Sequence, residues 1–125
     1  MSTTREQGQY TENLACRYLE NKGLNLIEKN FNCKVGEIDL IMQDNDTLVF
    51  IEVRYRKNKN FGSGAESITA SKQSKLIKTA SLYLQRHARL NQYPARFDVV
   101  SITGFIETED LNNIKFDWIE NAFGT

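Results

Sequence analysis

The chain has 125 residues, 40% of them hydrophobic and 10% aromatic, and its 16 Lys and Arg balance 16 Asp and Glu. A chain of this length and composition is expected to fold as one domain around a single core, which excludes a disordered polypeptide. No apolar run approaches the roughly 18–20 residues of a membrane span, and residues 1–10 are too polar for a signal peptide and not an Arg-rich amphipathic transit peptide, so a soluble, cytoplasmic protein with no membrane partner is expected.

In chain order, residues 5–22 read as a helix, because Tyr10, Leu14, Ala15, Tyr18 and Leu19 recur at helical spacing and Gly23 stands where a helix-ending glycine belongs. Residues 24–31 read as a first strand, and Asn32-Cys33-Lys34-Val35-Gly36 as a turn. A second strand runs over residues 37–43, with Ile38, Leu40 and Met42 on one face and Glu37, Asp39 and Ile41 on the other. Asp44-Asn45-Asp46 is a turn. The third strand, 47–55, is apolar on both faces, as a central strand is: Leu48, Phe50, Glu52 and Arg54 share one face, and Val49, Ile51, Val53 and Tyr55 the other.

Residues 56–65 form a basic, glycine-containing loop. A second helix capped by Thr69 or Ser71 extends to about residue 90, with Leu76, Ile77, Ala80, Tyr83, Leu84 and Ala88 on its buried face. A fourth strand over 95–103 follows Pro94, and Ile114, Phe116 and Trp118 mark an edge strand, after which the last residues are expected to turn helical. The order αβββαββ gives a mixed three-layer α/β sandwich.

The zero net charge conceals an asymmetry. Residues 54–96 hold ten Lys and Arg against the single acid Glu66, while residues 1–53 hold five bases and nine acids, and 97–125 one base and six acids. A local field of that size attracts polyanions, although a basic stretch is also what an ordinary solvated helix face looks like. Cys16, Cys33 and His87 are too scattered for a zinc site, and the cysteines read as reduced thiols.

The chemistry is carried by two acids set among aliphatic residues. Gly36-Glu37-Ile38-Asp39-Leu40-Ile41 and Phe50-Ile51-Glu52-Val53-Arg54 place carboxylates in strands, where burial costs several kcal/mol unless a cation offsets it. Pairing through the short turn sets Asp39 beside Glu52, and two such anions call for a proton or a metal between them. Hard oxygen donors suit Mg2+ or Mn2+. Arg54 points to the same face as Glu52 and can hold a phosphate; Glu12 on the first helix can reach across to orient a water. Glu37 reads as a peripheral hydrogen-bonding group, Asp98 as structural, and Tyr55 and Tyr83 as core.

These two motifs, with Phe61-Gly62, Arg96-Phe97-Asp98-Val99-Val100, Glu12 and Ala15, resemble the YraN-type family of small uncharacterised bacterial proteins. That family is similar to the PD-(D/E)xK nucleases, whose relatives include archaeal Holliday-junction resolvases and restriction enzymes. The resemblance implies a restriction-endonuclease-like αβββαβ core. It implies metal ligation by Asp39 and Glu52, with Glu12 as an auxiliary acid. It also implies cleavage of DNA, with branched or damaged DNA among the candidate substrates, and a homodimer, since resolvase relatives act as dimers. The departure is Arg54, where the superfamily pattern has lysine. Arginine clamps phosphate but does not give up its proton. Lys72 is the one candidate for a relocated amine. Arg56, Lys57, Lys59 and Lys72 are the expected nucleic-acid contacts. Two rival readings stand beside the nuclease: a binding module with a decayed site, and an adaptor that pairs through the acidic 107–120 edge.

Overall fold

The computed structural model describes residues 4–57, 68–107 and 110–124. Helix α1 (Thr4–Asn21) leads into β1 (Asn25–Asn32), β2 (Glu37–Asp44) and β3 (Thr47–Arg56), followed by α2 (Ala70–Arg86), β4 (Ala95–Thr103) and β5 (Lys115–Phe123), with short 3-10 turns at Leu90–Gln92 and Leu111–Asn113. The five strands form one sheet in sequence order. All neighbours are antiparallel except β3 and β4, which are parallel and therefore need a crossover, supplied by α2.

Each helix covers one face of the sheet. Ala15, Cys16 and Leu19 of α1 pack on Leu40, Met42, Val49, Ile51, Val100 and Ile102. Leu76, Ala80 and Tyr83 of α2 pack on Ile41, Leu48, Phe50 and Phe97. β3 has buried residues on both faces because it is the middle strand, and the result is the three-layer sandwich read from the sequence.

Three expectations are corrected. Helix α2 ends at Arg86, where the His87 N–H closes on the Leu84 carbonyl, rather than near residue 90. The chain end is strand, not helix: β5 stays on β4 as far as Phe97 opposite Phe123, whose rings stack 5.0 Å apart. Ile38 packs with Phe31 and Ile41 under α2 rather than with Leu40 and Met42. The last has a local cause. The β2–β3 ladder ends at Leu40 opposite Ile51, and Asn30, between the pairs Lys29–Leu40 and Phe31–Ile38, has a φ of 54°. The alternation of β2 breaks where it leaves β3.

Candidate active site

That parting of β2 from β3 makes the site. Beyond Leu40 the next rung is missing, and the Asp39 carboxylate takes its place by accepting the Val53 N–H at 2.9 Å. A strand that would have been sealed by backbone bonds is sealed by an acid instead. Glu52, on the α2 face of β3, is 5% exposed. The Asp39 and Glu52 carboxyls are in hydrogen-bond contact.

The two helices close the gap from either side. Thr4, Gln7, Gly8, Thr11 and Glu12 follow one another along a single face of α1 and line a cleft of about 620 Å3. The opposite wall is the first turns of α2, with Thr69, Ser71, Lys72, Lys75 and Leu76. The Thr69 hydroxyl caps α2 by accepting the Lys72 N–H at 3.1 Å, which settles the choice between the two capping candidates. Gly36 lets the start of β2 approach α2 closely: a Cβ there would stand 3.0 Å from the Thr79 hydroxyl.

Charge is divided between these walls. Glu12 bonds both Asn30 of β1 and Asp39. Burial raises its pKa, helped by the charges of Glu37 and Glu52 and opposed by those two hydrogen bonds. Burial above all, then the charge of Glu52, pushes the Asp39 carboxyl from 3.8 up to about 8, against the pull of the Val53 N–H. On the other side, the Lys72 ammonium contacts Glu52 Oε2 directly, and Arg54 Nη1 lies 3.6 Å from the same oxygen.

Glu12, Asp39, Glu52, Arg54 and Lys72 are thus brought together. Arg56 and Lys57 are not among the residues that line the cleft, and Lys57 pairs with Glu107 at 3.6 Å. Lys59 lies outside the described residues. Two participants escaped the sequence reading. Ligand oxygens of Glu37, Glu12 and Asp39 lie within 4.8 Å of one another, so Glu37 belongs to the acidic cluster rather than to its periphery. Its i, i+2 relation to Asp39 was the available signal. Asn30, which holds Glu12, carried none. Asp98 is structural as expected, and Tyr83 is buried in the core.

The fold and the cleft together define a three-layer α/β protein whose sheet parts around an acidic site. No helix among the described residues is long and apolar enough to cross a membrane. The model of the uncharacterised protein family UPF0102 matches residues 11–102, and the chain belongs to that family. It is 48% identical to a UPF0102 protein of Stutzerimonas stutzeri over 98% of both chains. It is 48% identical to one of Nitrosococcus oceani, over 98% of this chain and 94% of that one, and 46% identical to one of Legionella pneumophila over 96% of both.

Proposed function

We propose that this protein is a divalent-metal-dependent endonuclease that hydrolyses phosphodiester bonds in DNA, with branched or damaged DNA of repair or recombination as its substrate. The observation that carries the reading is the meeting of Asp39 and Glu52 where β2 leaves β3, with a third acid behind them and two cations in front.

The residues fit Mg2+ or Mn2+. An aspartate whose proton is held up to about 8 by its neighbours lacks a positive partner of its own, and carboxylate oxygens are the donors these ions prefer. Asp39 and Glu52 would hold the ion. A metal so bound lowers the pKa of its water and neutralises charge developing at phosphorus. Glu12, which lies beside Asn30 and Asp39, would orient that water. Arg54, fixed charge on the Glu52 face, clamps a phosphate oxygen. Lys72 and Lys75, both on the cleft wall, hold the DNA backbone. Cytoplasmic action and a homodimer that cuts two strands belong to the same proposal.

The test is cleavage of labelled single-stranded, duplex, flap and four-way junction DNA with Mg2+, Mn2+ or EDTA, with Asp39→Asn as control. Metal-dependent cutting that the variant loses is expected; equal cutting by the variant removes the assignment. Arg54 also favours a second reading, a metal-independent binding module, which predicts salt-sensitive DNA binding without cutting. The adaptor reading is weakened by the packing of its aromatic residues: Phe116 stacks on Tyr18 at 4.5 Å, and the Trp118 N–H donates to Asp98 at 2.9 Å.

A further inference from the structure

Tyr10 recurs with Leu14, Ala15, Tyr18 and Leu19 at helical spacing, yet of these five it alone stays out of the core that α1 makes with the sheet, and it is 39% exposed. Its side chain lines a second cavity, of about 330 Å3, with Glu6 and Gln7 of the same helix and with Ile106 and Glu107 of the loop that follows β4. Gln7 also lines the acidic cleft, so the two spaces adjoin. We propose that this cavity receives an unpaired nucleobase of the DNA strand whose phosphate lies in the cleft, with that base stacked on Tyr10. This rests on the endonuclease reading above and narrows its substrate to DNA with an unpaired stretch beside the cut.

The cavity is built in advance. The Tyr55 hydroxyl donates to the Gly104 carbonyl at 2.7 Å and lies against the Ile106 N–H, and Tyr55 itself lines the cleft. One side chain thus ties the loop wall of the cavity to the wall of the candidate active site. The Gly104 N–H donates to the Arg56 carbonyl at 3.1 Å, and the Phe105 N–H to Asn113 Oδ1 at 2.6 Å. Gly104, at a φ of 133°, lets the loop pass close to Asn113, whose carbonyl oxygen would stand 2.7 Å from a Cβ there.

The chemistry suits a base rather than a phosphate. Glu6 and Glu107 repel a phosphodiester, whereas a neutral base carries amino groups that a carboxylate accepts. The Gln7 amide both donates and accepts, as a base edge requires. Lys57, exposed and paired with Glu107 at 3.6 Å, sets a cation at the rim, where the backbone carrying that base would pass. Every base has a π-face, so an aromatic ring takes any of them without reading sequence. The cost of unstacking and unpairing is least for a base that is damaged, mismatched or already single-stranded, and this favours such DNA over intact duplex.

The experiment is fluorescence anisotropy with labelled single-stranded, flap and blunt duplex DNA, in EDTA and separately in Ca2+, for the wild type, Tyr10→Ala and Tyr10→Phe. Thermal melting of each shows that the fold is intact. Tyr10→Ala is expected to bind single-stranded and flap DNA about 5- to 100-fold more weakly, the worth of roughly one stacked base, and blunt duplex less than about twofold more weakly. Tyr10→Phe keeps the ring and is expected to bind all of them as the wild type does. A fluorescent base analogue placed at the unpaired position beside the flap junction is expected to be quenched by the wild type and Tyr10→Phe but not by Tyr10→Ala. Unchanged binding of single-stranded and flap DNA by Tyr10→Ala, an equal loss on blunt duplex, or a Tyr10→Phe variant as weak as Tyr10→Ala overturns the proposal, as does a wild type that binds no DNA in either buffer. If the wild type cuts with Mg2+ or Mn2+ while one of those outcomes holds, only the base site fails; if binding depends on the Tyr10 ring as expected and no metal gives cutting, the endonuclease reading fails and the base site stands.

Discussion

Asp98 and Asp39 are both aspartates in strands of the same sheet, and their surroundings are opposite. Asp98 is fully buried and surrounded by donors: Arg96 Nε at 3.0 and 3.2 Å to its two oxygens, Trp118 Nε1 at 2.9 Å and the Asn121 N–H at 2.9 Å. Arg96 in turn reaches Asp44 at 3.0 Å, so the network ties β4 to β5 and to the β2–β3 turn. Asp39 has one N–H and three carboxyl neighbours, Glu12, Glu37 and Glu52. A buried acid with a complete donor shell holds a fold together. A buried acid among other acids is a group kept short of positive charge, and it is stable in its charged form only when a cation arrives.

The largest effect expected from breaking this contrast is in the structural member. Asp98→Ala leaves Arg96 partly unpaired and the Trp118 and Asn121 donors without their acceptor. It should cost about 3–5 kcal/mol in urea unfolding, the usual loss when one partner of a buried ion pair is removed. Asp39→Asn should do the reverse: cleavage falls by about 10²–10³-fold, while the fold survives or gains. An Asp39→Asn variant that unfolds as readily as Asp98→Ala would erase the distinction.

Acidity sharpens it further. The Asp39 carboxyl titrates at about 8 in the fold and near 3.8 when free, so the folded chain retains a proton that the unfolded chain gives up. The stability this contributes is complete below pH 3.8 and is lost as pH rises to about 8. Thermal melting of the metal-free wild type should therefore fall, relative to Asp39→Asn, by at most about 1.4 kcal/mol per pH unit across that window. A constant difference between the two from pH 5 to pH 8 would contradict the assignment.

Metal should reverse that loss. At ten times its Kd, Mn2+ is expected to stabilise the wild type by about 1.4 kcal/mol and Asp39→Asn hardly at all. Because binding displaces the Asp39 proton, calorimetry should show affinity rising with pH until about 8 and level beyond it. The smallest effect is at Gly36. Alanine there presses on a Thr79 hydroxyl already donating to the Lys75 carbonyl at 2.7 Å, and a loss of about 1 kcal/mol in thermal melting is expected.

Much of this was legible beforehand where the signal was local. β4 begins at Ala95 and ends at Thr103 as its hydrophobic run predicts, since Pro94 and Gly104 bound it. Asp39, Glu52 and Arg54 were legible because acids and a base in apolar strands contradict their setting. Other features depended on distant partners. The sequence Ile119-Glu120-Asn121-Ala122-Phe123 has no strand alternation, and it is held on β4 by the bond from the Asn121 N–H to Asp98 and by the stacking of Phe123 on Phe97. Glu37 looked peripheral because one-dimensional spacing does not show that β2 joins β3 only three residues after it.

The sequence by itself determined most of the elements and which acids sit in which strands, and it narrowed the cap of α2 to Thr69 or Ser71, because each follows from periodicity, turn chemistry and the cost of burying charge. Only the tertiary structure decided that Glu12 from one face and Lys72 from the other meet at the Asp39–Glu52 pair, and that Arg56 and Lys57 do not. The reason is the missing rung just before Leu40: the gap between two strands, and what two helices send into it, is a property of packing that no local pattern records.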